Sequence, residues 1–173
     1  MQEIRQHDLA RARRLAGVAC ALLFLAAPAA PYLAAHGQSW AAVLLYAAFA
    51  PWCHQLPDRS FAWLGHPWAV CHRCAGIYGG LAAGVLLPRA LLGRLLAVRA
   101  RRAWALGAAV PLLFDSLLPA AGLWHNTAAS RCASGALAGI MLGSVLVAGL
   151  AQLPAQLRRA GVLRRRSFRG DGS

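Results

Sequence analysis

The chain has 173 residues, 59% of them hydrophobic and only 13% charged, with a mean hydropathy of +0.50. That is more apolar matter than the core of a soluble domain of this length holds, so the sequence reads as an integral membrane protein. Eighteen arginines, with no lysine, face five acids, giving a formal charge of +13. The arginines cluster beside apolar runs, where membrane topology and anionic headgroups account for them without a nucleic-acid partner.

Five apolar segments follow in chain order: Leu15–Ala35, Trp40–Trp52, Ala75–Leu92, Ala103–Leu123 and Ala133–Leu153. A crossing needs about 20 residues, so the second segment is short, and either begins earlier or ends inside the membrane. The predicted fold is all-α, a polytopic bundle of four to five transmembrane helices. One domain covers 1–157, with a motif loop at 53–74, and a basic cytoplasmic tail covers 158–173. Residues 1–27 also have the build of a signal peptide, with Ala27-Pro28-Ala29 as a weak cleavage site. Because apolar character continues to Ala35, an uncleaved first helix is the preferred reading.

Arginines set the orientation. Arg89, Arg94, Arg99, Arg101 and Arg102 follow the third segment, and Arg158, Arg159, Arg164, Arg165, Arg166 and Arg169 lie in the tail. Both regions are expected in the cytoplasm and the motif loop outside. Five crossings would then put the N-terminus outside, against Arg5, Arg11, Arg13 and Arg14; a re-entrant segment among the first two would remove the conflict. The bias toward Arg, Ala and Gly points to a bacterial inner membrane. Gly76, Gly80 and Gly84 form one four-residue stripe, and Gly135, Gly139 and Gly143 another. Small residues at this spacing let helices approach closely in lipid, so the third and fifth spans are expected to pack together, running in the same direction.

Chemistry-bearing residues concentrate in the motif loop. Cys53, Cys71 and Cys74 with His54 make a Cys3His set for zinc, although adjacent Cys53 and His54 share one ion only with strain; His66, His72 or water are the other fourth ligands. The same Cys71-x-x-Cys74 has a redox reading, since a helix start and Arg73 would lower a thiol pKa, with Cys53 as resolving partner. A plain disulfide and buried apolar cysteines are the structural alternatives. Arg59, Arg73 and Arg131, with Ser134, are placed around a pocket for an anionic small molecule or lipid headgroup. Asp115 lies deep in the fourth segment and must find a partner, with Arg131 the expected one. Pro119 removes the N–H that would bond the Asp115 carbonyl, which opens the backbone beside the acid. His125 and Asn126 read as a surface turn.

Cys-His-Gln-Leu-Pro-Asp-Arg-Ser-Phe at 53–61, Gly65, and Cys-His-Arg-Cys-Ala-Gly-Ile-Tyr at 71–78 resemble a family of small prokaryotic membrane proteins known only as a domain of unknown function. Its pattern is C-H-Q-x-P-x-R-S-F, C-x-R-C-T-G-I-Y-x-G, an intramembrane Asp, then R-x-x-T-G-x-x-x-G. Asp115 and Arg131 to Gly139 fill the later positions, and the likeness runs from about Tyr46 to Gly143. Ala75 and Ser134 stand where threonine is usual. The resemblance implies a membrane protein and supplies no activity. Three functions therefore stay open: a zinc-binding membrane protein with Asp115 and Arg131 as catalytic candidates, a thiol-disulfide oxidoreductase, or a small permease or lipid-handling protein.

Overall fold

The computed structural model describes residues 2–88, 90, 91, 94 and 98–159. Five helices and one hairpin follow in order: α1 (Gln2–Ala35), α2 (Ser39–Phe49), β1 (Ser60–Trp63), β2 (His66–Cys71), α3 (His72–Leu86), α4 (Val98–Ala120) and α5 (Ala128–Arg159). Three stretches are long and apolar enough to cross a bilayer: Ala10–Ala35, Arg102–Ala120 and Ala128–Leu150. The helix-bundle expectation therefore holds, with a small hairpin added inside what read as a loop. Residues 160–173 of the basic tail and Arg89 lie outside the described residues.

The glycine stripes make the central seam. A Cβ on Gly76 would fall on the Cys132 carbonyl, one on Gly80 on the Ala136 carbonyl, and one on Gly84 on the Ile140 carbonyl; Gly135, Gly139 and Gly143 meet the α3 backbone in the same way. Only hydrogen fits at these positions. Residue numbers rise together along both helices, so α3 and α5 are parallel, as their stripes predict. In lipid such contact replaces the hydrophobic force with dispersion between backbones.

α1 lies antiparallel to α3. Arg13 near its start donates from Nε to the Val85 carbonyl at 2.7 Å, and from Nη2 to the Leu87 carbonyl, closing carbonyls at the end of α3 that lack a helical partner. α3 stops there because Pro88 holds Leu87 extended, with ψ at 139°. This is six residues before the predicted end at Leu92. At its other end α1 carries the hairpin, with Tyr32 and Trp63 rings 5.9 Å apart and Ala27 and Ala30 fully buried against Phe49, Ala69, Val70 and Ala75.

α2 bears on the number of crossings. Its 11 residues rise about 16 Å, too short to cross. It starts beside the end of α1 and finishes with Phe49 against Tyr78, one turn below the cysteines, ring centroids 5.7 Å apart. The chain then climbs back to Cys53 and the hairpin at the end of α1 from which it left. The buried helix end is closed by protein groups: Trp52 and Cys53 amides donate to the Phe49 carbonyl at 3.0 Å, and Gln55 Nε2 donates to the Tyr46 carbonyl at 2.7 Å. α2 is thus a short helix whose chain returns toward the side it left, the geometry that a re-entrant second segment would need.

The hairpin turns at Leu64-Gly65, both at positive φ (52° and 80°), the conformation a two-residue turn of the type I′ kind demands. Ser60 pairs with Cys71 and Ala62 with Pro67, so the register shifts between them, with Phe61 of β1 opposite the longer stretch of β2 from 68 to 70. The hairpin thereby delivers Cys71 to the first turn of α3.

Candidate metal and anion site

Three elements converge at one level of the bundle. Cys53 follows the short helix α2, Cys71 ends β2, and Cys74 lies in the first turn of α3. Their sulfurs all lie within 4.8 Å of one another, and the Cys71 amide donates to Cys53 Sγ at 3.1 Å. All five cysteines are free thiols. The group includes no histidine. His54 is exposed on the wall of the adjoining cavity, His66 is exposed on the hairpin, and His72 is buried edge-on against Phe61. A hydrogen bond to Cys74 lowers the Cys71 thiol to about 5 against the opposing effect of burial, with further help from Cys53 and the Arg73 and Cys74 amides.

Beside the sulfurs is a cavity of about 390 Å³. Its wall carries all three cysteines, His54, Arg59, Arg73, Arg131 and Asn126, and an apolar rim of Trp52, Leu56, Pro119 and Ala120. The three arginines expected around one pocket do meet there. Ser134 does not: it is buried, with its hydroxyl 3.4 Å from Asp115 Oδ2 and donating to the Arg131 carbonyl at 3.2 Å.

Asp115 faces protein, 8% exposed, but its partner is Arg73, not Arg131. Arg73 Nη2 donates to Asp115 Oδ2 at 2.6 Å and to the Asp115 carbonyl at 2.9 Å. Ser130 donates to Oδ1 at 2.7 Å. The expected Asp115–Arg131 pair is absent because Arg131 Nε is taken by Asn126 Oδ1 at 2.8 Å. Asn126 Nδ2 in turn donates to the Asp115 carbonyl at 2.8 Å. The carbonyl left without a helical donor by Pro119 is thus satisfied twice, by Arg73 and Asn126.

The sequence left Ser130 unmarked and read Asn126 only as part of a surface turn, whereas Asn126 bridges the Asp115 carbonyl and Arg131. Thr127 and Ser130 exchange side-chain and amide hydrogen bonds at 3.0 and 3.1 Å, a reciprocal cap that opens α5. The signal was present as Thr127-x-x-Ser130 just before an apolar run, with Asn126 preceding it.

Residues 53–145 match the model of a family described as "Predicted membrane protein (DUF2085)", which is more than half of the chain. The chain belongs to this family. The matched region opens at Cys53 and takes in the cysteines, Asp115, Arg131 and both glycine stripes. Two curated relatives are similar to it, both from archaea. "Uncharacterized protein MJ1492" of Methanocaldococcus jannaschii is 39% identical over 71 residues, 38% of this chain and 46% of the relative. An "Uncharacterized protein" of Methanothermobacter thermautotrophicus is 54% identical over 28 residues, 16% of this chain and 25% of the relative. The chain spans less than half the length of the curated relatives it matches. No solved structure matches.

Proposed function

We propose that this membrane protein holds a zinc ion on Cys53, Cys71 and Cys74, with its fourth position open to a cavity that takes an anionic ligand. The observation that carries it is the three-sulfur cluster on the wall of a cavity shared with three arginines. The donors suit the metal: three thiols brought together from three elements, one already acidic, one accepting an amide hydrogen bond. Zinc on three thiolates leaves one negative charge, and the arginines offset it. Cys53, Cys71 and Cys74, holding such an ion together, would tie the hairpin to α3 and to the chain leaving α2. Arg59 and Arg131 then hold the anion, while Arg73, tied to Asp115, sets the spacing between α3 and α4.

In the bilayer, α1, α3, α4 and α5 cross, α2 re-enters, and the site lies on the outer face. Both chain ends and the arginine-rich connection are cytoplasmic, which agrees with the arginines of α1. A multi-pass protein of a bacterial inner membrane is the setting the composition favours.

A second reading has its own support. The acidic Cys71 thiol, hydrogen-bonded to Cys74 at the start of α3, has the build of a thiol-disulfide oxidoreductase centre. One sample separates the two. Metal analysis of detergent-purified full-length chain is expected to give one zinc per protein, lost in Cys53→Ser, Cys71→Ser and Cys74→Ser, with the three thiols shielded from titration until a chelator is added. Metal-free protein with a Cys71–Cys74 disulfide would overturn the zinc reading in favour of the redox one.

A further inference from the structure

The geometry points to a phosphate monoester as the ligand of the arginine cavity. This rests on the reading that the cavity takes an anion, and it names which one. Three guanidinium groups reach the cavity from three separate elements: Arg59 from the turn before β1, Arg73 from α3, Arg131 from α5. A carboxylate offers two oxygens in one plane, and a single guanidinium fork serves both. A terminal phosphate offers three oxygens that diverge, so it takes donors from three sides.

The arginines are also held as a ligand would need them. Asn126 occupies Arg131 Nε, and Arg131 makes no other side-chain hydrogen bond among the described residues, so its two terminal nitrogens are left as a fork. Arg73, which also lines the cavity, spends Nη2 on Asp115, and its Nε is buried without an acceptor. Arg59 is exposed and makes no side-chain hydrogen bond among the described residues.

Asp115 neutralises one arginine and a zinc–trithiolate centre would offset another, so the charge that remains calls for an anion, and the donors arriving from three elements select the monoester. The apolar rim at Trp52, Leu56 and Ala120 is compatible with a phosphate on a lipid or on a small molecule, so phosphate is the shared chemistry and the test separates the sources.

The test uses full-length protein in phosphatidylcholine nanodiscs. Binding of glycerol 3-phosphate is compared with a glycerol phosphodiester and with succinate, and binding of phosphatidic acid with phosphatidylglycerol. The monoester of each pair is expected to bind about tenfold or more tightly, and Arg59→Ala or Arg131→Ala to weaken it by about tenfold or more. Arg131→Lys keeps the charge without the fork and is expected to behave like Arg131→Ala; it also serves where the alanine variant folds poorly. Phosphatidic acid favoured over glycerol 3-phosphate assigns a lipid ligand; the reverse assigns a soluble one. Equal binding of monoester and diester, or binding unmoved in the Arg59→Ala/Arg131→Ala double variant, would overturn the proposal. Zinc content is measured on the same samples. Phosphate binding that persists in metal-free Cys71→Ser shows the anion site standing independently, and zinc retained in the arginine variants shows the converse.

Discussion

Removing the Asp115 carboxylate tests the polar knot that ties α4 to the rest of the bundle. The acid is 8% exposed and accepts from Arg73 at 2.6 Å and Ser130 at 2.7 Å, with Ser134 at 3.4 Å. Stranding one partner of a buried ion pair costs about 3–5 kcal/mol. Arg73 keeps 28% of its side-chain surface and can rehydrate, so the lower end applies, and Asp115→Ala is expected to destabilise by about 3 kcal/mol. In an Arg73→Ala background the same change strands nothing, and its cost falls to about 1 kcal/mol, the two serine hydrogen bonds. The coupling energy of the Asp115–Arg73 cycle is therefore about 2 kcal/mol, whereas Asp115 and Arg131, which meet only indirectly through Asn126 and Ser134, should couple by about 0.5 kcal/mol or less. Equilibrium unfolding in mixed detergent micelles reads all the variants on one scale. Additive costs for Asp115 and Arg73, or a larger coupling to Arg131, would refute the wiring described.

Three further outcomes follow from the same geometry. Gly80→Leu places a side chain on the Ala136 carbonyl and is expected to cost about 3 kcal/mol or more, while Gly107→Ala, with open space around it, is neutral or slightly stabilising in the same unfolding assay. In metal-free protein the thiolate of Cys71 reacts with iodoacetamide, so labelling at this cysteine should rise through a midpoint near pH 5; a midpoint near the ordinary thiol value would remove the acidic Cys71. The sign is that of a depressed pKa: the thiolate is present above about pH 5 and is lost as pH falls through it. Finally, single cysteines placed at Gly37 and Gly122, in a background free of other thiols, are expected to label from the outer face, and a C-terminal reporter to be active in the cytoplasm; labelling of the two from opposite faces would reverse the re-entrant assignment of α2.

What the sequence made legible followed from strong local chemistry. Two matched stripes of glycine every fourth residue pointed α3 and α5 to backbone contact, and Pro119 announced an unsatisfied carbonyl at Asp115 before any partner was visible. The cysteines were legible as a group because their spacing and their neighbours are unusual in an apolar chain. The hairpin was not, although Leu64-Gly65 between two short β-prone runs carries the signal, because strands of four and six residues leave little periodicity in a chain this apolar. Nor was the partner of Asp115. Arg73 and Arg131 reach the same level of the bundle, and which of them meets the acid depends on Asn126, a residue whose role exists only once the start of α5 is packed beside α4.

The parallel run of α3 and α5 has a consequence for how the chain divides its labour. Two neighbours pointing the same way need a return path of full length between them, and α4 is that path. It cannot also be part of the backbone-to-backbone seam it connects, so it stands at the periphery, carrying two prolines and an outward face of leucine, valine and phenylalanine. Ser116, Pro119 and Ala120 on this outlying helix form one side of the arginine cavity. The molecule thus pairs an inflexible frame, in which almost no side chain can be enlarged, with a separate wall whose residues are free to change. Tailoring to a new ligand can be confined to that wall without disturbing what holds the frame together.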